Sequence, residues 1–239
     1  MGKSLAEIID SSRRIVFFGG AGVSTESGIP DFRSADGLYN AELGTTYPPE
    51  TIISHSFFVK HPAEFYSYYA KNLIHPQAKP NPAHLALANL EALGRLSAVV
   101  TQNIDGLHQD AGSQVVYELH GSVRRNYCGT CHAFYGVAKI VQADPIPYCD
   151  VCGGLIKPDV VLYEESLNQV VMERAIAAIE AADTLIVGGT SLVVYPAAGL
   201  VDFFNGEDIV LINRDPTPAD SLASCIVRDP IGQALSIWA

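Results

Sequence analysis

The sequence predicts a doubly wound α/β fold, a largely parallel sheet with helices on both faces and a smaller inserted lobe. Three observations predict it. Seven short β-branched runs recur along the chain, and most are nearly continuously apolar, as strands buried on both faces must be. Stretches with apolar residues at helical spacing lie between them. Two segments, 36–79 and 126–154, break the alternation and read as insertions.

Taken in order, Arg14-Ile-Val-Phe-Phe18 is the first strand and runs into a glycine-rich turn. Segment 36–79 follows as an aromatic-rich helical or loop lobe, with Phe57, Phe58, Phe65, Tyr66, Tyr68 and Tyr69 at its centre. A helix is predicted from Pro82, where apolar residues recur at helical spacing up to a stop at Gly94. Leu96-Ser-Ala-Val-Val-Thr101 and Val115-Val-Tyr-Glu-Leu119 are the next strands. Segment 126–154 holds four of the five cysteines. Val160-Val-Leu-Tyr163 reads as a strand and 168–182 as a helix. The last strands are Thr184-Leu-Ile-Val-Gly-Gly189, Asp208-Ile-Val-Leu-Ile-Asn213 and Cys225-Ile-Val-Arg228. No linker is long enough to part independent domains. The expected division is therefore a main domain of 1–35, 80–125 and 155–239, with a lobe of 36–79 and 126–154 packed beside it.

Composition narrows the function classes. The 239 residues are 48% hydrophobic and 17% charged, enough apolar surface to build a core and too much for global disorder. Fifteen Lys and Arg against 26 Asp and Glu give a net charge of −11, the wrong sign for holding phosphate backbones, so no nucleic-acid partner is expected. That field would instead draw in a basic ligand such as a lysine-rich peptide. No apolar run approaches the roughly 18 residues of a membrane span. The first residues carry Glu7 and Asp10 where a signal peptide would be apolar, and Ala6 breaks a myristoylation motif. A cytoplasmic chain is expected, and, since it stops shortly after its last strand, a monomer. An odd cysteine count in such a chain points to metal or thiol chemistry.

The strongest chemical pattern is Cys128-Gly-Thr-Cys131, then 17 residues, then Cys149-Asp-Val-Cys152. Two such knuckles let four thiolates close a tetrahedron around one zinc ion, and four protein ligands leave no open position, so the zinc is structural. Two redox pairs are the alternative. His132 is read as a surface residue and Cys225 as a strand residue.

A nucleotide cleft is read from the strand ends. Gly19-Gly20-Ala21-Gly22-Val23-Ser24 follows the first strand, where backbone N–H groups and a helix start can receive a pyrophosphate. The fingerprint is incomplete, with Thr25 where a third glycine belongs, and a structural tight turn is the alternative. Asp31, Phe32 and Arg33, after a Gly-Ile-Pro bend, could fold over a ligand or form a surface ion pair. Thr101-Gln102-Asn103-Ile104-Asp105, Gly189-Thr190-Ser191 and Asn213-Arg214-Asp215 end three further strands, where open parallel sheets present ligands. His120, at another strand terminus, is placed either as a structural histidine or as a general base.

In family order, Gly20-Ala-Gly-Val-Ser24, Gly28-Ile-Pro-Asp-Phe-Arg33, Thr101-Gln-Asn-Ile-Asp105, Leu119-His-Gly121, the paired knuckles, Gly189-Thr-Ser191 and Val193-Val-Tyr-Pro196 cover nearly the whole chain. This set resembles the sirtuin family, the NAD-dependent protein lysine deacylases. The resemblance implies a Rossmann-like domain for NAD, a small lobe of zinc ribbon plus helical module, and an acyl-lysine peptide bound between them. It implies that the acyl group passes from lysine to ADP-ribose, releasing nicotinamide and O-acyl-ADP-ribose. His120 would be the general base, with Asn103 and Asp105 in the catalytic set. Gly20, Ala21, Gly22 and Thr25 would lie at the pyrophosphate, and Asp31, Phe32 and Arg33 on the cofactor loop. Gln102, Asn103, Ile104 and Asp105 would shape the nicotinamide and ribose pockets, with Gly189, Thr190, Ser191, Asn213 and Arg214 at the adenosine half. Val160, Leu162, Tyr163, Val193 and Tyr66 would meet the substrate, its backbone adding as a strand after Pro158 and after Ser191.

Two departures stand out. Many relatives read Phe-Gly-Glu where this chain reads Tyr163-Glu164-Glu165, and the extra acid is expected to favour basic residues near the target lysine. Relatives that remove succinyl or malonyl groups carry an arginine three residues after a tyrosine in the helical lobe. Here Tyr66 is followed by Tyr69, so acetyl or apolar acyl groups are expected. Mono-ADP-ribosyl transfer and a non-catalytic NAD- or acyl-lysine-binding module are the rival functions.

Overall fold

The computed structural model describes residues 2–32, 37–39 and 46–239. Among them six parallel strands form the main sheet: β1 (Ile15–Gly19), β2 (Leu96–Thr101), β3 (Val116–Glu118), β7 (Thr184–Gly188), β8 (Asp208–Ile212) and β9 (Cys225–Val227), in the order β3-β2-β1-β7-β8-β9. From β1 the chain builds outward to β2 and β3, then returns to start β7 on the other side. The switch point lies between β1 and β7, and ligands bind such sheets at the crevice there, beyond the carboxyl ends.

The strands are apolar on both sides because both sides are covered. Val16, Phe18, Val100, Val187 and Leu211 point into one core with α8 (Gln169–Glu180) and the 3₁₀ segment Ala197–Phe203. Ile15, Phe17, Val99, Ile186 and Val210 point into the other, with α1 (Leu5–Ser11), α5 (Pro82–Ala92) and α9 (Ile231–Leu235). Helix α5 begins under an Asn81 cap and ends at Gly94, whose φ of +71° is the left-handed stop the sequence predicts.

The lobe has its own core. Helices α2 (Pro49–Ile52), α3 (His55–Lys60) and α4 (Pro62–Asn72) bury Phe58, Phe65, Tyr66 and Tyr69 against Val123, Ile156, Cys128 and Cys149. The two insertions thus pack as one body around a three-stranded antiparallel sheet, β5-β4-β6, made of β4 (Gly121–Cys128), β5 (Phe134–Tyr135) and β6 (Ile156–Val160). Two short helices, α6 (Leu107–Ala111) and α7 (Val137–Val141), follow β2 and β5. No helix among the described residues is long and apolar enough to cross a membrane.

Three expectations change. The run Val160–Tyr163 is not a strand of the parallel sheet. Its first residue ends β6, whose buried positions alternate at Ile156, Pro158 and Val160, the mark of a strand with one covered face. The lobe correspondingly extends past both expected edges, since β4 starts before 126 and β6 starts after 154. Finally, the helix start expected after the glycine loop is not α-helical. The chain passes through 3₁₀ turns at Ala21–Val23 and Thr25–Ser27, then leaves helical geometry at Gly28 with φ of +82° ahead of Pro30.

Candidate active site

A cavity of about 810 Å³ opens at the switch point, walled on one side by the ends of β1, β2, β7 and β8 and on the other by the lobe. Its floor is made by two glycine segments in close approach. Gly22 donates its N–H to the Gly189 carbonyl at 2.8 Å, and Gly20 donates to Gly188 at 3.2 Å. A Cβ on Gly22 would lie 2.8 Å from the Gly189 Cα, and one on Gly20 2.8 Å from the Thr190 Cβ. Gly189 itself holds φ of +59°. No other residue type allows that approach, which leaves room for a ligand above Ala21, Gly22, Thr25 and Thr190, all on the wall.

The end of β2 supplies a hydrogen-bonded network. Ser24 Oγ donates to Asp105 Oδ2 at 2.7 Å and accepts from Asn103 Nδ2 at 3.1 Å, while Leu107 N donates to Asp105 Oδ1 at 2.9 Å. Asn103 and Asp105 are therefore held in place before any ligand arrives. The Gln102 side chain receives the Thr190 hydroxyl at 3.4 Å on its oxygen, yet its buried Nε2 has no partner. A buried amide N–H₂ left unmet costs roughly 1–3 kcal/mol, so it is a donor awaiting an acceptor from a ligand.

His120 sits just after β3 and before β4, where the two sheets meet. Its Nδ1 lies 2.9 Å from the Gln102 carbonyl. A carbonyl oxygen only accepts, so Nδ1 carries the hydrogen and Nε2 is left with its lone pair. Burial lowers the pKa of the ring, opposed by the Gln102 carbonyl, and the neutral, basic form prevails at pH 7.

The structure brings together most of the predicted set. Asp31, Phe32, Ile104, Val160, Leu162, Tyr163, Ser191, Asn213 and Arg214 also face this cavity. Three do not. Gly20 lies beneath the floor, and Val193 is half exposed outside the wall. Tyr66 is buried in the lobe core, donating its hydroxyl to the Ile156 carbonyl; as a large aromatic on the inner face of α4, it fills the lobe rather than meeting a substrate. Arg33 lies outside the described residues. Sequence reasoning missed Ser24, although it closes the glycine motif, and the loop of Asp229, Pro230 and Ile231 at the far end, which carries no local signal.

Glu164 is exposed on the cavity wall, and its carboxylate is engaged with the helical lobe. It holds φ of +75°, and its carboxylate accepts from Ser56 N at 2.8 Å and Ser56 Oγ at 2.9 Å. Glu165 accepts from Lys157 Nζ and Leu162 N, each at 3.0 Å, and lies 2.8 Å from His55 Nδ1.

The four knuckle cysteines converge in the ribbon, their sulfurs all within 4.8 Å of one another. Cys128 and Cys152 are 3.4 Å apart and Cys131 and Cys149 3.5 Å, close to the about 3.8 Å edge of a tetrahedron with 2.3 Å zinc–sulfur bonds. Backbone N–H groups of Thr130 and Cys131 approach Cys128 Sγ at 3.4 and 3.5 Å, and Tyr135 donates its hydroxyl to Cys149 Sγ at 3.1 Å. Four thiolates so served fit one structural zinc. His132 is exposed and outside the cluster.

The comparisons agree with this geometry. A model of the Sir2 family matches residues 20–196. The NAD-dependent protein deacetylase of Clostridium perfringens is 60% identical over 97% of this chain and 95% of its own length. That of Staphylococcus aureus is 47% identical over 95% of this chain and 93% of its own. Among solved structures, a Sir2 protein with a deacetylated p53 peptide and 3'-O-acetyl ADP ribose is 40% identical with a TM-score of 0.88, covering 98% of this chain and 96% of that one. A Sir2 homologue in complex with NAD is 41% identical with a TM-score of 0.85, covering 96% and 89%.

Proposed function

This chain belongs to the Sir2 family, and from that premise we propose that its cleft removes acetyl groups from protein lysines with NAD, yielding nicotinamide, O-acetyl-ADP-ribose and the free lysine. The observation that carries the reading is His120: a neutral imidazole with Nδ1 committed to the Gln102 carbonyl and Nε2 basic, on the wall of the cavity that the glycine loop floors. NAD fits what is there, because the Gly22–Gly189 approach makes a backbone-lined floor and the Gln102 amide lacks an acceptor. When bound, NAD supplies an ADP-ribosyl group with nicotinamide as a stable leaving group.

The chain's own residues then divide the work. Ala21, Gly22 and Thr25 hold the pyrophosphate side; Gly189, Thr190, Ser191, Asn213 and Arg214 the adenosine side; Asp31 and Phe32 the edge of the cofactor. Asn103 and Asp105, fixed through Ser24, orient the reacting end, and Ile104 and Phe32 exclude water from it. His120 takes up a proton at Nε2, and the Gln102 carbonyl stabilises the imidazolium through Nδ1–H.

An acyl-lysine peptide lies along Val160, Leu162 and Tyr163, its backbone adding as a strand. Acetyl and apolar acyl chains are preferred over succinyl or malonyl. Tyr66 and Tyr69 are both buried, and among the described wall residues Arg214, at the end of β8, is the one guanidinium. An acyl carboxylate beside Val160 and Leu162 would find no guanidinium among the described residues on the lobe side of that wall.

Mass spectrometry of acetyl- and succinyl-lysine peptides, with and without NAD and beside His120→Ala, tests the reading. The expected result is NAD-dependent loss of the acetyl mass, absent in the variant, with the succinyl peptide retained. An unaltered acetyl peptide with labelled ADP-ribose on protein would overturn it in favour of ADP-ribosyl transfer.

A further inference from the structure

Glu164 is an acid in a backbone conformation that favours glycine. Its φ of +75° is uncommon outside Gly, Asn and Asp, and a glutamate there is strained unless its surroundings hold it. What holds it is the start of α3. In a helix the first N–H groups have no partner of their own, and Ser56 N is one of them. The Glu164 carboxylate takes that N–H at 2.8 Å and the Ser56 hydroxyl at 2.9 Å. Backbone bonds run alongside: His55 N donates to the Tyr163 carbonyl at 3.0 Å, and Tyr163 N to the Ile53 carbonyl at 3.1 Å. The segment from Leu162 to Glu165 is thereby stitched to the helical lobe, and the same segment walls the cavity where the peptide is placed.

We propose that Glu164 is a positioning residue for the peptide substrate, acting through its hydrogen bonds to Ser56 rather than through its charge. The inference rests on the deacetylase reading. By clamping the cleft rim to α3, Glu164 fixes the backbone and side chains of Leu162 and Tyr163 before the peptide arrives. A pre-ordered edge spares the complex the entropy of ordering it on binding. The clamp bears on the peptide edge: the segment joins His120 only upstream of Leu162, where Val161 N donates to the His120 carbonyl at 3.0 Å, and the glycine floor and the β2 network are built from other segments.

Two substitutions separate the clamp from the charge. Glu164→Gly relieves the left-handed strain and removes both bonds, so the protein folds with a loosened rim. Glu164→Gln removes the charge but keeps the clamp, since its amide oxygen accepts from Ser56 N and its amide nitrogen donates to Ser56 Oγ. Steady-state kinetics with an acetyl-lysine peptide and NAD, and the peptide Kd by fluorescence anisotropy, are the readouts. In Glu164→Gly the peptide KM and Kd should rise about fivefold to tenfold, while kcat and the KM for NAD stay within about twofold. Glu164→Gln should stay within about twofold of the parent in all of them, whatever the charge of the peptide flanks. An unchanged peptide KM in the glycine variant, or a glutamine variant as weak as the glycine one, overturns the clamp. A parent protein that binds the peptide without turning it over overturns the deacetylase reading instead, and the anisotropy series still decides the clamp.

Discussion

Acid should destabilise this protein through a buried histidine pair beneath the cleft. His84 and His108 are 0% and 1% exposed, with ring centroids 4.7 Å apart. His84 Nδ1 accepts from Asn81 N at 3.3 Å, so Nε2 carries the hydrogen and has no partner; neither His108 nitrogen has one. Burial, opposed by Asp105, lowers His84 from its ordinary 6.5 to about 4, and burial together with His84 lowers His108 well below its usual value. The unfolded chain takes up these protons near pH 6.5, whereas the native His84 does so only near 4. Stability present at pH 7 is therefore lost as pH falls from 6.5 through 4. At about 1.4 kcal/mol per pH unit, His84 accounts for about 2 kcal/mol lost by pH 5 and about 3 kcal/mol over the whole window. His108 adds in the same direction. Urea unfolding followed by Trp238 fluorescence and circular dichroism, from pH 7.5 to 5 with zinc present, measures the profile. His84→Asn, whose side-chain oxygen can replace Nδ1 as acceptor, should be less stable at pH 7 yet flatter by about 2 kcal/mol over that range. Parallel profiles for the two proteins would refute the reasoning.

Other outcomes follow from the same structure. Gly22→Ala brings a Cβ to 2.8 Å from the Gly189 Cα, where both chains are backbone and neither can yield cheaply; about 1–3 kcal/mol of destabilisation and a KM for NAD raised about tenfold or more are expected, while Gly136→Ala, in open space, leaves Tm and KM unchanged. Because burial lowers His120, kcat/KM should stay flat from pH 8 down to about 6.5 and fall only below that, as the base is protonated; an acid limb centred above pH 7 counts against this role. Elemental analysis should find one zinc per chain. Its removal by a chelator should abolish amide-exchange protection across residues 121–160 while β1 and β2 keep theirs, since Cys128 and Cys149 sit in the lobe core and not in either core of the main sheet.

What could be read from sequence was what local pattern encodes. Phe17 and Phe18 sit in one apolar run because they face opposite cores, so an unbroken run identified a doubly covered strand. The zinc knuckles were legible because each pair of ligands is three residues apart, and two short spacings carry most of the geometry. That Asn103, Asp105 and His120 would line one cavity was legible because strand ends of an open sheet are where ligands meet it. The misreadings have one cause: they depended on partners distant in the chain. Val160–Tyr163 is as apolar as a buried strand, yet β6 pairs with β4 and its end turns into the cleft. Pro230, at the end of the last loop, and Ile231, the first residue of α9, reach the cavity by the placement of β9 and α9 and by no motif of their own. Position 164 makes the point most sharply. Its charge suggested a lure for basic substrates; the structure adds what the sequence could not show, a left-handed backbone turn and bonds from the exposed carboxylate to Ser56, more than a hundred residues away. At the mouth of a cleft a side chain's first partners are those of its own fold, and such partners, distant in the chain, leave no mark in the local sequence.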